Sequence, residues 1–259
     1  MPELLEVETY RRQAEAVVGR RIVSVGAPDA WYVKNVDRSV LSPALVGRRV
    51  ERARRIGKLL ILDLDDGARL GLRFGMTGRL LVDGSASIQQ LEYSSSRDEP
   101  AWERFTLHFD DGGDLRMRDP RRLGGVELDP DESRLGPDAL TLTMPELEAA
   151  LAGSTAPIKA RLLDQHRIAG IGNLLADEIL FHAALDPARP AKSLTPDELE
   201  SLHKSILTTL PTLMSRGGSH TGDLRTAATL TALCPTDDTL LLRRRIAGRT
   251  TWSCPLHQL

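Results

Sequence analysis

The amino-acid sequence predicts an α+β fold: a leading helix, an antiparallel β-sandwich, a helical domain and a C-terminal hairpin. Three observations support this class. Apolar residues recur at helical spacing in residues 3–18 and alternate with polar residues in runs between about 21 and 128. Acid-acid-glycine turns such as those at 65–67 and 110–112 separate the alternating runs, and such turns are typical of hairpins. Beyond residue 137 the apolar periodicity is helical again.

Composition and charge narrow the class of protein. The chain has 259 residues, of which 41% are hydrophobic and 27% are charged, as in soluble globular proteins. We expect a cytoplasmic protein without a membrane partner, because the sequence has no membrane-length apolar run and no signal-peptide pattern. Two cysteines are too few for a disulfide framework. The net charge of −2 does not exclude nucleic acid, because arginines cluster at 116–122 and at 243–249.

The first predicted domain covers residues 1–130 and begins with the amphipathic helix at 3–18. Apolar residues then alternate with polar residues at 60–64 and at 105–109, which predicts strands of an antiparallel sandwich. Residues 84–100 are rich in serine, glutamine and charge, and they predict a long loop.

A second domain, residues 138–218, is predicted to be helical. Asp129-Pro130 and Gly136-Pro137 precede it as chain breakers. Its connection at 165–171 is too long for a standard helix-turn-helix. A third domain, residues 219–259, is predicted to hold a loop and a small hairpin. The helices are predicted at 144–152, 157–165, 172–183 and 196–216.

Met1-Pro2-Glu3 is the first motif that could carry chemistry. If Met1 is removed, Pro2 has a free secondary amine that titrates near about pH 8, so part of it is nucleophilic at neutral pH. Its attack on a sugar aldehyde carbon gives an iminium that cannot lose a proton to become neutral. Glu3 places a carboxyl group beside it to move protons. The plainer interpretation is a helix start, because proline and acidic residues both suit the first helical turn.

Several motifs in order along essentially the whole chain resemble the formamidopyrimidine-DNA glycosylase / endonuclease VIII family. The 165–171 connection matches the helix-two-turns-helix element of that family. Leu5 departs from it, since the family usually has proline there. The motifs are Pro-Glu-Leu-Leu-Glu-Val-Glu at 2–8, Arg-Arg-Ile-Gly-Lys at 54–58, Phe-Gly-Met-Thr-Gly at 74–78, Asp-Pro-Arg-Arg-Leu-Gly at 119–124, Pro-Ile-Lys at 157–159, Gly-Ile-Gly-Asn-Leu-Leu-Ala-Asp-Glu at 170–178 and a two-cysteine carboxyl end.

The resemblance implies a bacterial base-excision DNA glycosylase with β-elimination (AP lyase) activity. It would act as a monomer on damaged double-stranded DNA of the nucleoid. Pro2 would form a Schiff base with the deoxyribose carbon that bears the damaged base, Glu3 would move protons, and Lys58 would assist catalysis. A second elimination at the 5′ side is usual in the family. One alternative is a non-catalytic damaged-DNA-binding protein with the same fold. Another is a helical module of ribosomal type, which would leave the β-rich first half unexplained.

The start of the helix after Gly170-Ile171-Gly172 is a candidate phosphate site. Glycines let backbone amides approach a phosphate, and a helix start adds partial positive charge. Asn173 can donate its side-chain amide to the same oxygen, and the resemblance adds Lys58 and Arg249 as further phosphate contacts. Such contacts position a duplex without reading its sequence. The alternatives are that Asn173 caps the helix and that Lys58 is a solvated residue at a strand end.

Met76, Arg121 and Leu123 lie on two turns of the predicted β-domain. An enzyme that works on a base within a duplex rotates the base out and fills the gap. By resemblance, Met76 and Leu123 would be the apolar wedge, and Arg121 would hydrogen-bond the orphaned partner base. The formamidopyrimidine branch usually has phenylalanine where this chain has Leu123. The alternative is that Met76 and Leu123 are ordinary core residues.

The carboxyl end resembles the family's zinc finger with two substitutions. The usual pattern is two Cys-x2-Cys pairs around a hairpin, whereas Asp237 and His257 here take the second position of each pair. Cys234, Asp237, Cys254 and His257 would hold one structural zinc ion, since aspartate and histidine are acceptable ligands. The alternatives are a metal-free finger and one that uses Asp238.

The sequence leaves the choice of lesion open. Purine-specific members of the family cover the flipped base with a long loop before the finger. Here only 16 residues, from Gly218 to Leu233, lie between the helical domain and the first cysteine. That length favours oxidised pyrimidines, abasic sites or ring-opened bases over 8-oxoguanine.

Overall fold

The computed structural model describes residues 2–89, 91, 97 and 99–259. The chain divides into two compact units. The first contains Pro2 and residues 6–132, and the second contains residues 3–5 and 133–259. The finer division of the second unit into a helical domain and a hairpin domain stays a prediction.

Two four-stranded antiparallel sheets form the first unit. Its strands are β1 (Ile22–Gly26), β2 (Val50–Ile56), β3 (Leu59–Leu64), β4 (Arg69–Arg73), β5 (Arg79–Val82), β6 (Glu103–Phe109), β7 (Asp114–Arg118) and β8 (Gly125–Leu128). One sheet has the strand order β1-β6-β7-β5 and the other β2-β3-β4-β8. Alternate apolar side chains of both sheets enter one hydrophobic core, for example Leu60 and Leu62 of β3 with Phe105 and Leu107 of β6. The predicted α+β class is confirmed.

Two helices of the first unit differ from the predictions, and the predicted loop lies partly outside the described residues. Helix α1 (Leu4–Ala14) ends earlier than predicted, because the chain tightens into a 3-10 turn that buries Val17. Helix α2 (Arg38–Leu45) was missed within the strand-rich region. The predicted loop at 84–100 includes residues 90, 92–96 and 98, which lie outside the described residues.

The second unit is mainly helical, and its predicted helices lie within two residues of the observed ones. The four that were predicted are α3 (Met144–Leu151), α4 (Ile158–Leu163), α5 (Asn173–His182) and α6 (Pro196–Arg216), and a fifth helix, α7 (Asp223–Leu230), follows them. Thr195 and Glu198 form a reciprocal capping box at the start of α6, which satisfies amides that a helix start leaves free. Among the described residues, no helix combines the length and apolarity that crossing a membrane requires.

Gln165 organises the long connection between α4 and α5. Its side-chain nitrogen donates to the carbonyl oxygens of Leu163 (2.8 Å) and Ile171 (2.9 Å), and its side-chain oxygen accepts from the amide of Gly170 (2.9 Å). One side chain thus satisfies three backbone groups of a segment without regular structure. This explains how so long a connection keeps a defined path.

The tail at 219–259 contains a helix that the sequence did not indicate, α7, before the predicted hairpin. The carboxylate of Glu178 accepts from the amides of Leu224 (3.1 Å) and Arg225 (3.3 Å) in its first turn. A residue 46 positions away therefore caps α7, so no local signal announces it. The hairpin follows as β9 (Leu242–Ile246) and β10 (Arg249–Ser253), joined by a two-residue turn.

Candidate active site and nucleic-acid interface

Glu3 is held at the start of α5. It is fully buried, and its two carboxylate oxygens accept from the amides of Leu174 (2.9 Å) and Leu175 (3.1 Å). A Cβ at Gly172 would collide with this carboxyl group, so only glycine allows the approach. The positive end of the helix and two N–H donors therefore lie against this carboxyl group. Two amides of this helix start are therefore occupied by Glu3, and phosphate binding at Asn173 stays a prediction.

Pro2 precedes Glu3 in the chain and is buried. It belongs to the first unit, whereas Glu3 belongs to the second. In the sequence, the proposed nucleophile is thus the neighbour of a carboxylate that accepts two hydrogen bonds within its own unit.

Asn173 is the first residue of α5, and Gly172 takes the N-cap position, so the interpretation of Asn173 as a helix cap is wrong. Its side-chain nitrogen donates to the carbonyl oxygen of Thr250 (3.0 Å) in β10. Thr250 follows Arg249, which is exposed at the start of that strand. The hydrogen bond thus attaches Asn173 to the residue that follows Arg249 in β10.

A buried ion pair beneath the hairpin was missed by sequence reasoning. Lys159 is fully buried, and its Nζ lies 2.7 Å from Asp177 Oδ1 and 2.7 Å from Thr251 Oγ1. The other carboxylate oxygen of Asp177 accepts from the amide of Trp252 (3.3 Å). Burial raises the pKa of Asp177 to about 6 against the opposing effect of Lys159. The pair therefore connects α4 and α5 to β10, and the available signal was a lysine between the buried apolar residues of α4.

Asp119 joins the two turns that carry the predicted wedge. It is fully buried and accepts from the Thr77 hydroxyl (2.6 Å), the Arg121 amide (3.2 Å) and the Gly124 amide (2.8 Å). Thr77 follows Met76 on one turn, while Arg121 and Gly124 bracket Leu123 on the other. One carboxylate thus sets both turns, a role that the motif at 119–124 did not reveal.

The wedge candidates are accessible on these turns. Leu123 is 50% exposed, so its interpretation as a core residue is wrong, and Met76 is half-buried. Arg121 is exposed and forms no ion pair with any described residue. Its neighbour Arg122 instead makes two hydrogen bonds to Asp29 (2.5 and 2.7 Å), which hold the pKa of that carboxyl below its usual range.

Lys58 lies in the tight turn between β2 and β3 and is half-buried. Arg55 supports this turn by donating to the carbonyl oxygen of Gly57 (2.9 Å) and to Glu8 Oε2 (3.1 Å). The structure places Lys58 in the first unit, as it does Met76 and Arg121, and it leaves the catalytic role of Lys58 a prediction.

Three of the four predicted metal ligands lie together. The ligand atoms of Cys234, Asp237 and Cys254 lie within 4.8 Å of one another. Backbone amides of Thr236 and His257 donate to the two sulfurs at 3.4 and 3.2 Å. The amide of Thr239 donates to the Asp237 carboxylate and is the largest of the effects that lower its pKa to about 2. Two cysteine sulfurs and a carboxylate match the ligand types that zinc accepts.

His257 is outside that group. Its Nε2 lies 2.9 Å from the carbonyl oxygen of Phe181, and its ring packs against the Phe181 ring with centroids 4.8 Å apart. A carbonyl oxygen only accepts, so Nε2 carries the proton and Nδ1 is the nitrogen left for a metal. The sequence-predicted four-ligand set is thus incomplete in this structure.

Comparison with known proteins places the chain in a family. The family model for the formamidopyrimidine-DNA glycosylase N-terminal domain matches residues 1–126, and that for the H2TH domain of the same enzymes matches residues 135–224. The formamidopyrimidine-DNA glycosylase of Carboxydothermus hydrogenoformans is 35% identical over 274 aligned positions, which cover 98% of each protein.

Solved structures of Lactococcus lactis Fpg are similar over nearly the whole chain. A complex with FAPY-dG-containing DNA has a TM-score of 0.82, and one with oxidised-pyrimidine-containing DNA has a TM-score of 0.83. Both are 28% identical to this chain, and each alignment covers 99% of both proteins. The chain therefore belongs to the formamidopyrimidine-DNA glycosylase family of base-excision DNA repair enzymes.

Proposed function

We propose that this protein is a bifunctional DNA glycosylase and AP lyase that uses Pro2 as its nucleophile on damaged double-stranded DNA. The observation that carries this proposal is the fixed, fully buried carboxylate of Glu3 next to Pro2. If Pro2 and Glu3 only started a helix, the Glu3 carboxylate would not need to accept a hydrogen bond from an amide 171 residues away in the sequence. The proposal includes action as a monomer on nucleoid DNA in the cytoplasm.

The chemistry follows from a secondary amine next to a carboxylate. Once Met1 is removed, the lone pair of Pro2 attacks the deoxyribose carbon that bears the base, and the bond to the base breaks. The proline nitrogen then loses its proton, and the bond from that carbon to the sugar ring oxygen breaks as the oxygen takes up a proton. The iminium that forms holds a fixed positive charge that acidifies the neighbouring carbon. Loss of a proton there expels the 3′ phosphate, and water then hydrolyses the iminium to free Pro2.

Glu3 would serve this sequence as a proton carrier and as a counter-charge. The two hydrogen bonds from backbone amides leave a lone pair on each carboxylate oxygen. Glu3 can therefore still accept a proton and pass it to the sugar ring oxygen or the departing base. Its negative charge favours the iminium electrostatically, and burial strengthens that effect because the local dielectric is low.

The two turns clamped by Asp119 would open the duplex. Leu123 and Met76 are apolar and accessible, and Arg121 has its guanidinium free of ion pairs with described residues. These properties suit side chains that enter a base stack and pair with the orphaned base. Lys58, Asn173 and Arg249 would bind backbone phosphates and fix the register of the DNA.

The finger residues fit a structural zinc ion. Cys234, Asp237 and Cys254 would hold it, and Nδ1 of His257 would complete the set. A carbonyl partner on the other ring nitrogen is the usual support of a metal-bound histidine, and His257 already has one in Phe181. The ion would stabilise the hairpin and take no part in the reaction.

Oxidised pyrimidines, abasic sites and ring-opened bases are the proposed substrates. Half of the 16-residue segment before Cys234 is helical as α7, and Leu224 anchors that helix in a small hydrophobic cluster. The segment therefore offers little free chain to cover a flipped purine. A cleavage panel over defined lesions tests this, and efficient excision of 8-oxoguanine would contradict it.

Borohydride trapping tests the central proposal. Enzyme shown by intact mass to lack Met1 should form a covalent complex with abasic DNA, because only a Schiff base is reduced to a stable crosslink. A variant that retains Met1 is the matched control and should form none. A non-catalytic DNA-binding protein would bind the DNA without crosslinking, and full lyase activity with Met1 retained would rule out the terminal amine.

A further inference from the structure

Three consecutive arginines in β9 alternate between the two faces of the hairpin. Neighbouring residues of a strand point to opposite faces, so Arg243 and Arg245 share one face and Arg244 takes the other. The register pairs Arg243 with Trp252 and Arg245 with Thr250, which places those two residues on the face of Arg243 and Arg245.

The middle arginine is neutralised within the protein. Arg244 is half-buried, and its guanidinium lies 2.6 and 3.2 Å from the carboxylate of Asp186, with a further hydrogen bond to the Ser253 hydroxyl at 2.8 Å. Its charge is therefore used to fasten the hairpin to the chain segment after α5.

The two flanking arginines are not neutralised. Arg243 and Arg245 are exposed, and neither forms an ion pair or a side-chain hydrogen bond with any residue that the structure describes. Residues 239–253 contain no acidic side chain. Alternate residues of a strand lie about 6.7 Å apart, so two like charges stand side by side on this face, whereas Arg249 pairs with Ile246 and shares the face of Arg244.

We infer that the face of the hairpin with Arg243 and Arg245 is a phosphate-binding surface for duplex DNA, beyond the contacts of Lys58, Asn173 and Arg249. Adjacent uncompensated guanidinium groups repel each other, and a row of phosphates relieves that repulsion while accepting paired N–H donors. Trp252 is half-buried on the same face against the cluster around Phe181, which gives the arginines a rigid base. This inference rests on the DNA binding of the proposed function.

The salt dependence of duplex binding tests this surface. Each phosphate contact contributes a slope of about 0.9 in the plot of log affinity against log salt. Over a fourfold rise, from about 50 to about 200 mM salt, one contact accounts for an affinity loss of about 3.5-fold and two for about 12-fold. Duplex with a tetrahydrofuran abasic analogue is the probe, because it is bound without turnover.

Arg243→Gln and Arg245→Gln should each flatten the slope by about 0.9, and the double variant by about 1.8. Arg244→Gln is the matched control, since it removes the same charge from the same strand, and its slope should equal that of the wild type. The single variants should weaken binding to undamaged duplex as well, because phosphate contacts carry no sequence information.

Three outcomes would overturn the inference. If the wild type binds duplex and the slope of the double variant is unchanged, Arg243 and Arg245 do not contact phosphates. That result would leave the proposed function intact. An equal flattening in Arg244→Gln would show an effect of net charge and not of this face. A wild type that binds no duplex at any salt would overturn both this surface and the proposed function.

Discussion

Replacing Asp119 by asparagine should show whether this side chain positions the wedge residues for base unstacking or only stabilises the fold. The native carboxylate is fully buried and accepts three hydrogen bonds, from the Thr77 hydroxyl and from the amides of Arg121 and Gly124. Asparagine has the same shape but turns one acceptor into a donor, and that donor would face the Gly124 amide. The turn with Leu123 would then lose its fixed position relative to the turn with Thr77.

The magnitude follows from the lost hydrogen bond. A hydrogen bond to a charged group contributes about 1.5–3 kcal/mol, and the smaller desolvation cost of a neutral amide offsets part of it. We expect a loss of about 2 kcal/mol in the unfolding free energy of the β-rich unit, which lowers its melting temperature by roughly 5–10 °C. If the wedge residues then lower the activation free energy of base unstacking by about 1.4 kcal/mol less than in the native protein, excision from paired duplex slows about tenfold.

The assay compares single-turnover excision of one lesion in a paired duplex and in a bubble, well below the melting temperature. Asp119→Asn should slow the paired substrate far more than the bubble, because an unpaired base needs little unstacking. Asp65→Asn, which changes an exposed carboxylate in another turn of the same unit, is the control and should affect neither. Equal slowing of both substrates by Asp119→Asn would show that Asp119 supports the fold alone and would refute the coupling of the two turns.

Four further perturbations have expected outcomes. Leu123→Gly should slow excision from intact pairs without changing the salt dependence of binding, and equal slowing on abasic or bubble DNA would make Leu123 a fold residue. Lys159→Met should destabilise the second unit by about 3–5 kcal/mol in denaturant unfolding, since it strands the buried carboxylate of Asp177; pairing it with Asp177→Leu should restore most of the loss. Cys254→Ser should lower zinc content from about one ion per chain in metal analysis and weaken DNA binding, whereas well-folded metal-free wild type would reject the site. Hydrogen bonding to Glu178 raises the pKa of His182, so its stabilising effect is complete below about pH 6.5 and disappears as pH rises through the raised pKa; His182→Gln should abolish that pH dependence in unfolding measurements.

Elements with local signals could be predicted from the sequence. Helix α6 was predicted with its observed bounds, because Thr195 and Glu198 cap its start and Gly217 ends it. Helix α2 also has a local cap, since Asp37 accepts from the amide of Ser39 at 2.8 Å, but it contains Pro43, and proline is unfavourable within a helix. Helix α7 has one buried apolar residue and a cap from a distant side chain, so local pattern does not distinguish it from a loop.

The candidate site could be predicted only as far as its motifs are local. Pro2, Glu3, Leu123 and the two cysteines stand out by position or type. The groups that hold them do not, because their partners are distant in sequence: Asp119 and Thr77 are 42 residues apart. A single buried polar contact of this kind produces no periodicity in either segment, and its partner is determined by the tertiary fold.

In the sequence, glycines indicate where a close contact occurs but do not indicate which group makes the contact. Gly172 was expected to admit a phosphate to the amides of α5, and a Cβ there would instead collide with the carboxyl group of Glu3. Both ligands are anions, and the same helix-start amides satisfy either. Gly75 of the first unit also allows a close approach, because a Cβ there would collide with the backbone of Leu123. In both places the glycine allows a close approach that fixes a candidate functional residue, so substituting it should move Glu3 or Leu123 before it affects any DNA contact.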